Sequence, residues 1–415
     1  MVVDVQGTRK DWQDVANGFR FSPDEVRTIS QNFCRHIEWA LAGKQSSLSA
    51  LRTYAPLPTG KENGTFMALD VGGTNVRASR ITLRGDGRYI IESMVTRPLR
   101  SAEYDYTTAQ TGADTFFDFV VSVIKEAAGM VQQCMLGVTF SFAVTQTSLS
   151  DATLLSWSKE IAVPGVVGTS VMTLLKEALG RCGLRHIIPV ALVNDTTATL
   201  LSAVYRGQPS RIGIVCGTGF NMCYEESALG MIVNLEAAGF TGVPKTRWDI
   251  RVDTNSQRKG DHGMEKMVSG RYISDVYRYA LEDWLGRAIP AMTTKDMNRL
   301  VQGTGRVETS LLGVLSPTEV EGARGIGRAI FYRSAQLIGA AAFGILLHLY
   351  GDETLPPQAL SMEGSLVSHI EGMKEGIGAT IHTLCNTMQK ESFLSVIVND
   401  GGPSLGAAIA ASLKK

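Results

Sequence analysis

The chain has 415 residues, of which 44% are hydrophobic and 43 are glycine. This length exceeds that of one ordinary hydrophobic core, so two domains or two large lobes are predicted, and the composition is typical of an α/β protein with many tight turns. Lysine plus arginine and aspartate plus glutamate number 40 each, which leaves no net charge. That balance excludes a broad positive field for nucleic acid or an anionic membrane and favours a small ligand in a local site.

The predicted elements begin with one or two amphipathic helices in residues 12–43, where Ser22 is a capping residue and Pro23 stands at a first helical position. A turn-rich connector follows at 55–64. Strands then alternate with helices, which indicates α/β layers. In chain order these are a hairpin at 66–83, a strand at 87–97, a helix at 113–128, a strand at 135–144, a helix at 167–184, a strand at 187–195 and a helix at 196–206.

Three further features bear on location. The six cysteines form no CxxC pair, which predicts reduced thiols and a cytoplasmic protein. The sequence MVVDVQGTRKDW at the start lacks an apolar core, so no secretory signal is expected. The apolar run from Ala335 to Gly351 contains His348 and is short for a bilayer span, so a buried helix is predicted there.

The hairpin FMALDVGGTNVRASRITL places polar residues around a tight glycine turn. Glycines let backbone N–H groups approach an anion, the threonine hydroxyl adds a donor, and the arginine adds charge. An aspartate before the turn can hold Mg²⁺ through its water shell. The pattern therefore indicates a polyphosphate with its magnesium, and an ordinary surface hairpin is the alternative. The residues concerned are Asp70, Gly72, Gly73, Thr74, Asn75 and Arg77.

The sequence RIGIVCGTGFNMCYEE repeats this arrangement at low fidelity, with Gly217, Thr218 and Gly219 in the turn. Two such hairpins predict a duplicated lobe and a two-lobed clamp for the phosphates. Neither hairpin is a Walker loop. The sequence GARGIGRA, residues 322–329, has the wrong glycine spacing for a dinucleotide fingerprint and is predicted to be a helix end or a loop.

Asp195 stands where a fully apolar strand ends and a helix begins. Ligands of α/β sheets bind at the carboxyl ends of strands, so this carboxylate is well placed for catalysis, with helix capping as the alternative. Asn194 beside it favours the functional interpretation. Glu236 and Glu265 are acids close to glycines and apolar runs, and each is by itself compatible with a solvated surface position.

Taken together, the segments resemble the hexokinases, the ATP-dependent sugar kinases that include glucokinase. The similarity runs from LPTGKENGTFMALDVGGTNVRA to the C-terminal GAAIAAS and covers nearly the whole chain. Its most specific part consists of segments in the family's order and at similar spacing, namely LGVTFSFAVTQTSL, LLSWSKEI, VALVNDTTATL, IGIVCGTGFNMCY and EKMVSGRYISDVYR.

The resemblance implies an α/β, two-lobed actin-like (ribonuclease H-like) ATPase fold with an internal duplication and a cleft between lobes. A small lobe would comprise 64–196 plus 400–415, and a large lobe 1–63 plus 197–399. The implied reaction is phosphorylation of a hexose, foremost glucose, at its 6-hydroxyl, with ATP and Mg²⁺. The expected assembly is a monomer or homodimer that binds neither nucleic acid nor membrane.

The resemblance also implies roles for individual residues. Asp195 would be the general base, and Lys159 would reach the transferred phosphoryl group. The sugar would be held by Ser141, Ser158, Asn194, Asn221, Glu236 and Glu265. The two hairpins would hold the phosphates, with Asp70 on the metal through water. Gly364 and Ser365 would form the adenosine-binding turn, after Glu363 where the family usually has aspartate.

The chain departs from the family at several of these segments. The sequence FSFA ends in Ala143 where the family has proline, and WSKEI has Ser158 for threonine and adds the charge of Glu160. NLEAAGF has Ala237 where the family has tryptophan, directly after Glu236. The segment NDGGPSLGAA is one residue longer than the family's glycine turn. These departures predict a divergent member with a wider or shifted sugar preference.

Three alternatives remain at this stage. A bacterial repressor-type sugar kinase shares the aspartate–glycine hairpin, but its zinc-binding CxCGxxGC segment does not occur here. A non-catalytic sensor of hexose and nucleotide is favoured by the altered segments, whereas Asp195 and Lys159 argue against it. An actin- or chaperone-like ATPase would hydrolyse ATP without sugar, and Asn194 beside Asp195 argues against that.

Overall fold

The computed structural model describes residues 11–131, 133–157, 161–303, 315–391, 394–399 and 401–414. The predicted site residues Ser158 and Lys159, and Glu160 beside them, lie outside the described residues. The strands are β1 (Leu51–Arg52), β2 (Asn63–Val71), β3 (Asn75–Arg84), β4 (Tyr89–Pro98), β5 (Cys134–Phe140), β6 (Val144–Ser148), β7 (Asp151–Leu154), β8 (Ile187–Val193), β9 (Ser210–Cys216), β10 (Phe220–Glu226), β11 (Met231–Asn234), β12 (Gln358–Glu363) and β13 (Leu394–Val398).

Several of the described helices begin at a side chain that caps the first turn. Ser22 caps the second helix, as predicted, and the structure adds a reciprocal capping box with Glu25. The helices are α1 (Trp12–Asn17), α2 (Pro23–Leu41), α3 (Ala113–Ala128), α4 (Val171–Arg181), α5 (Asp195–Tyr205), α6 (Arg247–Asn255), α7 (Glu265–Val268), α8 (Ile273–Leu285), α9 (Thr294–Gln302), α10 (Pro317–Tyr350), α11 (Ser365–His369), α12 (Met373–Thr387) and α13 (Gly402–Ser412).

Two sheets repeat one strand order. The first runs β4-β3-β2-β5-β8, and the second runs β1-β11-β10-β9-β12-β13. In each sheet a hairpin with an antiparallel third strand is followed by strands that pair in parallel. Apart from β1, the strands of the two sheets correspond one to one. The strands β9, β10, β11, β12 and β13 occupy the positions of β2, β3, β4, β5 and β8, respectively. The predicted α/β fold with an internal duplication is confirmed.

The chain divides into two compact units. Unit 1 comprises Met1–Ser49, Val215–Asn221 and Ala237–Val398, and unit 2 comprises Ala50–Ile214, Met222–Glu236 and Asn399–Lys415. The bounds of these units differ from the predicted lobe boundaries. Residues 197–214, for example, were assigned to the large lobe with most of unit 1, but they belong to unit 2. The lobe boundaries stay a prediction.

Unit 2 has a core on each face of its five-stranded sheet. Met67, Leu69 and Val71 of β2 pack in the cluster with α3 and α4, whereas Phe66 and Ala68 pack in the cluster with α5 and α13. This alternation follows from the period of two along a strand. Small residues bring α13 close to its neighbours, since a Cβ on Gly406 would stand 2.3 Å from the Ala198 carbonyl oxygen. Both faces of the sheet are thereby covered.

Unit 1 is organised around α10, which has 34 residues. Among the described residues this helix is long and apolar enough to cross a membrane, but 89% of its most apolar 18-residue window is buried inside the protein. The predicted buried helix is therefore confirmed. The prediction for GARGIGRA was wrong, because these residues lie inside α10 and not at its end. The glycines there serve packing: a Cβ on Gly325 would stand 2.1 Å from the ring of Trp12.

Candidate active site

The first hairpin closes between β2 and β3. The last pair of the ladder joins Val71 to Val76, and the N–H of Gly72 donates to the carbonyl of Asn75 at 3.0 Å. Thr74 is exposed at the tip. The turn therefore presents small and hydroxyl-bearing residues to solvent, as an anion-binding turn requires.

A charged pair stands at the base of this hairpin. Asp70 and Arg77 are opposite one another in the ladder, with 3.8 Å between Oδ2 and Nη1. Arg77 also donates from Nε to Thr96 on β4 at 3.4 Å. The arginine is thus fixed on the return strand, and the carboxylate of Asp70 stands one residue before the end of β2. An oxygen donor of this kind suits Mg²⁺ bound through water.

Polar residues follow three neighbouring parallel strands of unit 2. Register places Asp70 beside Thr139, and Thr139 beside Val193. Ser141 follows β5, where its N–H donates to the Val71 carbonyl at 3.1 Å, and Asn194 follows β8. Two strand spacings of about 4.8 Å place the end of β8 about 10 Å from the first hairpin. The structure thereby brings Asp70, Ser141, Asn194 and Asp195 to one edge of the sheet.

Asn194 and Asp195 share the start of α5. Asn194 is buried and caps the helix, since its Oδ1 accepts from both the N–H and the hydroxyl of Thr196 at 3.0 Å. Asp195 is the first helical residue, half-buried, and its Oδ1 accepts from the Thr196 N–H at 2.8 Å. Capping therefore belongs mainly to Asn194, and the rest of the Asp195 carboxylate is available to a ligand.

Glu236 has an unusual backbone. Its φ is 48°, in the left-handed region that residues with a Cβ rarely adopt. The buried Asn234 donates from Nδ2 to Glu236 Oε1 at 2.6 Å. Strain of this kind persists only where the surroundings impose it, and it concentrates at ligand sites. Asn234 was not predicted as a site residue, although it stands two positions before Glu236 in NLE.

The second hairpin, in unit 1, also closes by a backbone hydrogen bond from a glycine N–H, but over one residue fewer than the first. The N–H of Gly217 donates to the carbonyl of Gly219 at 3.0 Å. Gly364 packs directly against it: a Cβ there would stand 2.3 Å from the Cys216 carbonyl oxygen and 2.8 Å from the Gly217 nitrogen. Gly364 also has a φ of 123°. The structure therefore joins the predicted adenosine turn, Gly364 and Ser365, to the second hairpin.

Asn221 and Glu265 lie beside the second hairpin. Asn221 Oδ1 accepts from the Ala237 N–H at 3.0 Å, so the segment with the altered NLEAAGF sequence orients this amide. Glu265 Oε2 accepts from the Phe220 N–H at 3.0 Å. A Cβ on Gly219 would stand 3.0 Å from the same oxygen. Of the two predicted sugar-binding residues of unit 1, Asn221 thus lies in the return strand of the second hairpin, and Glu265 contacts the first residue of that strand.

Two further parts of this site were not predicted. Gly270 and Arg271 donate their N–H groups to the carbonyls of Gly217 and Thr218, at 2.8 and 3.2 Å. His262 Nδ1 lies 3.2 Å from Glu265 Oε1, and the Glu265 hydrogen bond raises the pKa of His262. In the sequence, Arg271 is marked only by the glycine directly before it. A glycine followed by an arginine is too common a pair to indicate a functional site.

Trp157 fixes the chain just before the undescribed residues 158–160. Its ring lies among Phe116, Phe140 and Phe142, and its Nε1 donates to the Val163 carbonyl at 2.7 Å. A hydrogen bond therefore joins Trp157, before the segment that carries Ser158 and Lys159, to Val163 after it.

Two family models, both described as hexokinase, match residues 11–205 and 211–413. The chain belongs to the hexokinase family. The predicted resemblance is confirmed, and the chain is a hexokinase, an enzyme that phosphorylates a hexose with ATP as donor.

The sequence of the chain is also similar to those of individual hexokinases. The chain is 34% identical over 246 residues to Hexokinase-1 of Schizosaccharomyces pombe (strain 972 / ATCC 24843), a match that covers 54% of this chain and 50% of that relative. It is 28% identical to Hexokinase-5 of Oryza sativa subsp. japonica, over 96% of this chain and 88% of that relative.

Solved hexokinase structures have the same fold. A hexokinase crystal structure aligns at a TM-score of 0.85 and 29% identity, over 97% of this chain and 98% of that one. A hexokinase from Schistosoma mansoni, in complex with glucose, aligns at 0.82 and 23% identity with the same coverage of each chain. The two-lobed actin-like fold predicted from the resemblance is confirmed by these matches.

Proposed function

We propose that this hexokinase transfers the γ-phosphoryl group of Mg-ATP to the 6-hydroxyl of glucose, with Asp195 as the general base. The observation that carries the proposal is the position of Asp195 at the carboxyl end of β8, in the same sheet and at the same edge as the first glycine hairpin. A base and a phosphate-binding turn at one sheet edge are the two parts that phosphoryl transfer to an alcohol requires.

In the proposed mechanism Asp195 accepts the proton of the 6-hydroxyl as that oxygen attacks the γ-phosphorus. The bond between the γ-phosphorus and the bridging oxygen breaks, and ADP leaves with that oxygen. Lys159 would neutralise charge on the transferred group. Positioning and charge stabilisation supply most of the catalysis in such reactions.

The hexose would be held by hydrogen bonds from amides, hydroxyls and carboxylates. The Asn194 oxygen already accepts from Thr196, so its amide N–H groups are the part that would donate to a sugar hydroxyl. Buried groups of this kind discriminate against analogues that lack a hydroxyl, because they are then left unpaired. The proposed set is Ser141, Ser158, Asn194, Asn221, Glu236 and Glu265.

The nucleotide would be held by both hairpins and by the Gly364–Ser365 turn. Asp70 would hold Mg²⁺ through water, and the ion would neutralise charge on the phosphates. Among the described residues no group of three histidine, cysteine or acidic side chains forms a metal cluster. A single carboxylate together with phosphate oxygens is a common set of ligands for Mg²⁺. Arg77, fixed by Asp70 and Thr96, would add a cation at the phosphates.

The deciding experiment measures ADP release from Mg-ATP against glucose, mannose, fructose and glucosamine, with Asp195→Asn beside the wild type. Asparagine keeps an acceptor for the Thr196 N–H but not a base, so turnover should fall by about 10²- to 10⁴-fold while glucose and ATP still bind. Asp86→Asn, in an exposed turn of unit 2, is the matched control and should retain wild-type turnover.

The other possible results of this experiment would contradict the proposal or support a different function. Near-wild-type turnover of Asp195→Asn contradicts the role of the base. ADP release without sugar supports an ATPase, and binding of both ligands without release supports a sensor. A strong preference for glucose over the other three sugars would contradict the wider preference predicted from Ala237.

A further inference from the structure

His262 lies one helical turn before Glu265, at the entry to α7. Its Nδ1 is 3.2 Å from Glu265 Oε1, and the two side chains are 28% and 16% exposed. Its φ is 52°, a second left-handed backbone beside a proposed sugar-binding acid. Local strain of this kind is retained where the surroundings hold a side chain in a required position.

The contact fixes which group donates. A carboxylate oxygen only accepts, so the hydrogen bond must run from Nδ1–H of His262 to Oε1 of Glu265. The other oxygen, Oε2, accepts from the Phe220 N–H at 3.0 Å. With one donor on each oxygen, the plane of the Glu265 carboxylate is fixed, and the remaining lone pairs have a definite direction.

Several charged groups surround His262. Asp261 Oδ2 lies 3.8 Å from its Nε2, and Arg258 lies 3.9 Å from the same Asp261 oxygen. Lys245, in the loop before α6, also approaches this region. Its Nζ would lie 4.0 Å from a Cβ added to Gly263, the residue directly after His262.

The elements packed against α7 add further charges. Lys266 on α7 is paired with Asp253 on α6, and Tyr272 and Arg271 precede α8. The hydrogen bond to Glu265 raises the pKa of His262 above its ordinary value, and both acids favour the charged ring.

We propose that His262 is a positioning residue for the hexose: it orients the Glu265 carboxylate for the sugar hydroxyls and makes hexose affinity fall as the pH rises. The inference rests on the proposed sugar-binding role of Glu265. Below the pKa of His262 the bond is charge-assisted and holds the carboxylate tightly. Above it the neutral ring still donates but more weakly, so the carboxylate is oriented less well.

The test measures the KM for glucose and glucose binding by equilibrium titration between pH 6 and 8.5, with Mg-ATP saturating in the kinetic arm. Wild-type KM should rise about fivefold across this range, the difference between a charge-assisted and a neutral hydrogen bond. His262→Gln keeps a neutral donor and should have a KM that is flat with pH. His262→Asn tolerates the left-handed backbone but is shorter, so its KM should be raised at every pH.

The controls separate this inference from the proposed function. His382→Gln, an exposed histidine on α12, should keep the wild-type pH profile. Glu265→Gln should raise KM, and if it does not, the sugar-binding role of Glu265 itself is wrong. If Glu265→Gln raises KM but His262→Gln keeps the wild-type rise with pH, the inference on His262 is overturned and the proposed function stands. An unchanged kcat in His262→Gln would support a positioning role over a general loss of folding.

Discussion

At the scale of single residues, two of the four described non-glycine residues with a left-handed φ belong to the proposed sugar site or contact it. Glu236 and His262 both have left-handed φ values, 48° and 52°. Glu236 accepts a hydrogen bond from Asn234, and His262 contacts Glu265. Because such conformations cost free energy, the surrounding structure must fix them, and the carboxylates of Glu236 and Glu265 are thereby preorganised for a ligand.

Gly364 provides a residue-scale prediction for the nucleotide. In Gly364→Ala the added methyl group would collide with the Cys216 carbonyl oxygen and the Gly217 nitrogen, and the φ of 123° adds strain. The second hairpin must move, so we expect the KM for ATP to rise about tenfold or more, with a smaller change in the KM for glucose.

Gly372→Ala is the matched control for this substitution. Gly372 also has a left-handed φ, 78°, but a Cβ there would meet open space. Its strain of about 1 kcal/mol should lower the melting temperature and leave both KM values unchanged. Equal effects of the two substitutions on the KM for ATP would show that strain, and not the hairpin contact, is responsible.

The sequence could predict the acids and amides of the site but not what holds them. Asp195 and Asn194 were visible because an apolar strand ended at a polar pair. Asn234, His262 and Arg271 were not, since each acts through a contact or a backbone conformation that no local pattern encodes. The cause is geometric: a φ above zero in a residue with a Cβ is imposed by packing.

At the scale of elements, α10 shows how packing overrides a local signal. Glycines lower helix propensity, which made GARGIGRA look like a helix end. In the structure Gly322 and Gly325 face Trp284 and Trp12, whose rings would lie 2.3 and 2.1 Å from an added Cβ. The helix continues because these large rings need space. By contrast, α3 and the cap of α2 agree with the sequence, because their signals are local.

Gly325→Ala should therefore destabilise unit 1 by about 1–3 kcal/mol, since the methyl group displaces the ring of Trp12. The measurement is the shift of the urea unfolding midpoint. Trp12→Ala removes the ring, so in that background Gly325→Ala should cost nothing or stabilise the helix. An equal cost in both backgrounds would contradict the contact with Trp12.

At the scale of the whole molecule, the same five-strand order occurs twice, and the sequence indicated this only through the two hairpins. The sequence carries a second sign of the duplication: β8 ends at Val193 before Asn194-Asp195, and its counterpart β13 ends at Val398 before Asn399-Asp400. Three letters are too few to identify as a repeat without the strand order. Sequence reasoning therefore predicted the duplication, whereas the strand-by-strand correspondence required the structure.

The intact protein should not bind lipid vesicles, because α10 is buried and the net charge is zero. Flotation with neutral and with anionic vesicles at about 0.15 M salt, a concentration that screens surface charge, measures this. The folded enzyme should remain at the bottom of the gradient, and the urea-unfolded chain is the positive control. Flotation of active enzyme would contradict the prediction.

The carboxylate of Glu265 connects the sugar site that we propose with the phosphate-binding turn that we propose. One residue that we assign to the sugar accepts a hydrogen bond from Phe220, which directly follows the turn that we assign to the phosphates. A shift of that turn on binding nucleotide would change the hydrogen bond and with it the affinity for sugar. Thermodynamic linkage then requires reciprocity: whatever factor ATP applies to the dissociation constant of glucose, glucose applies to that of ATP.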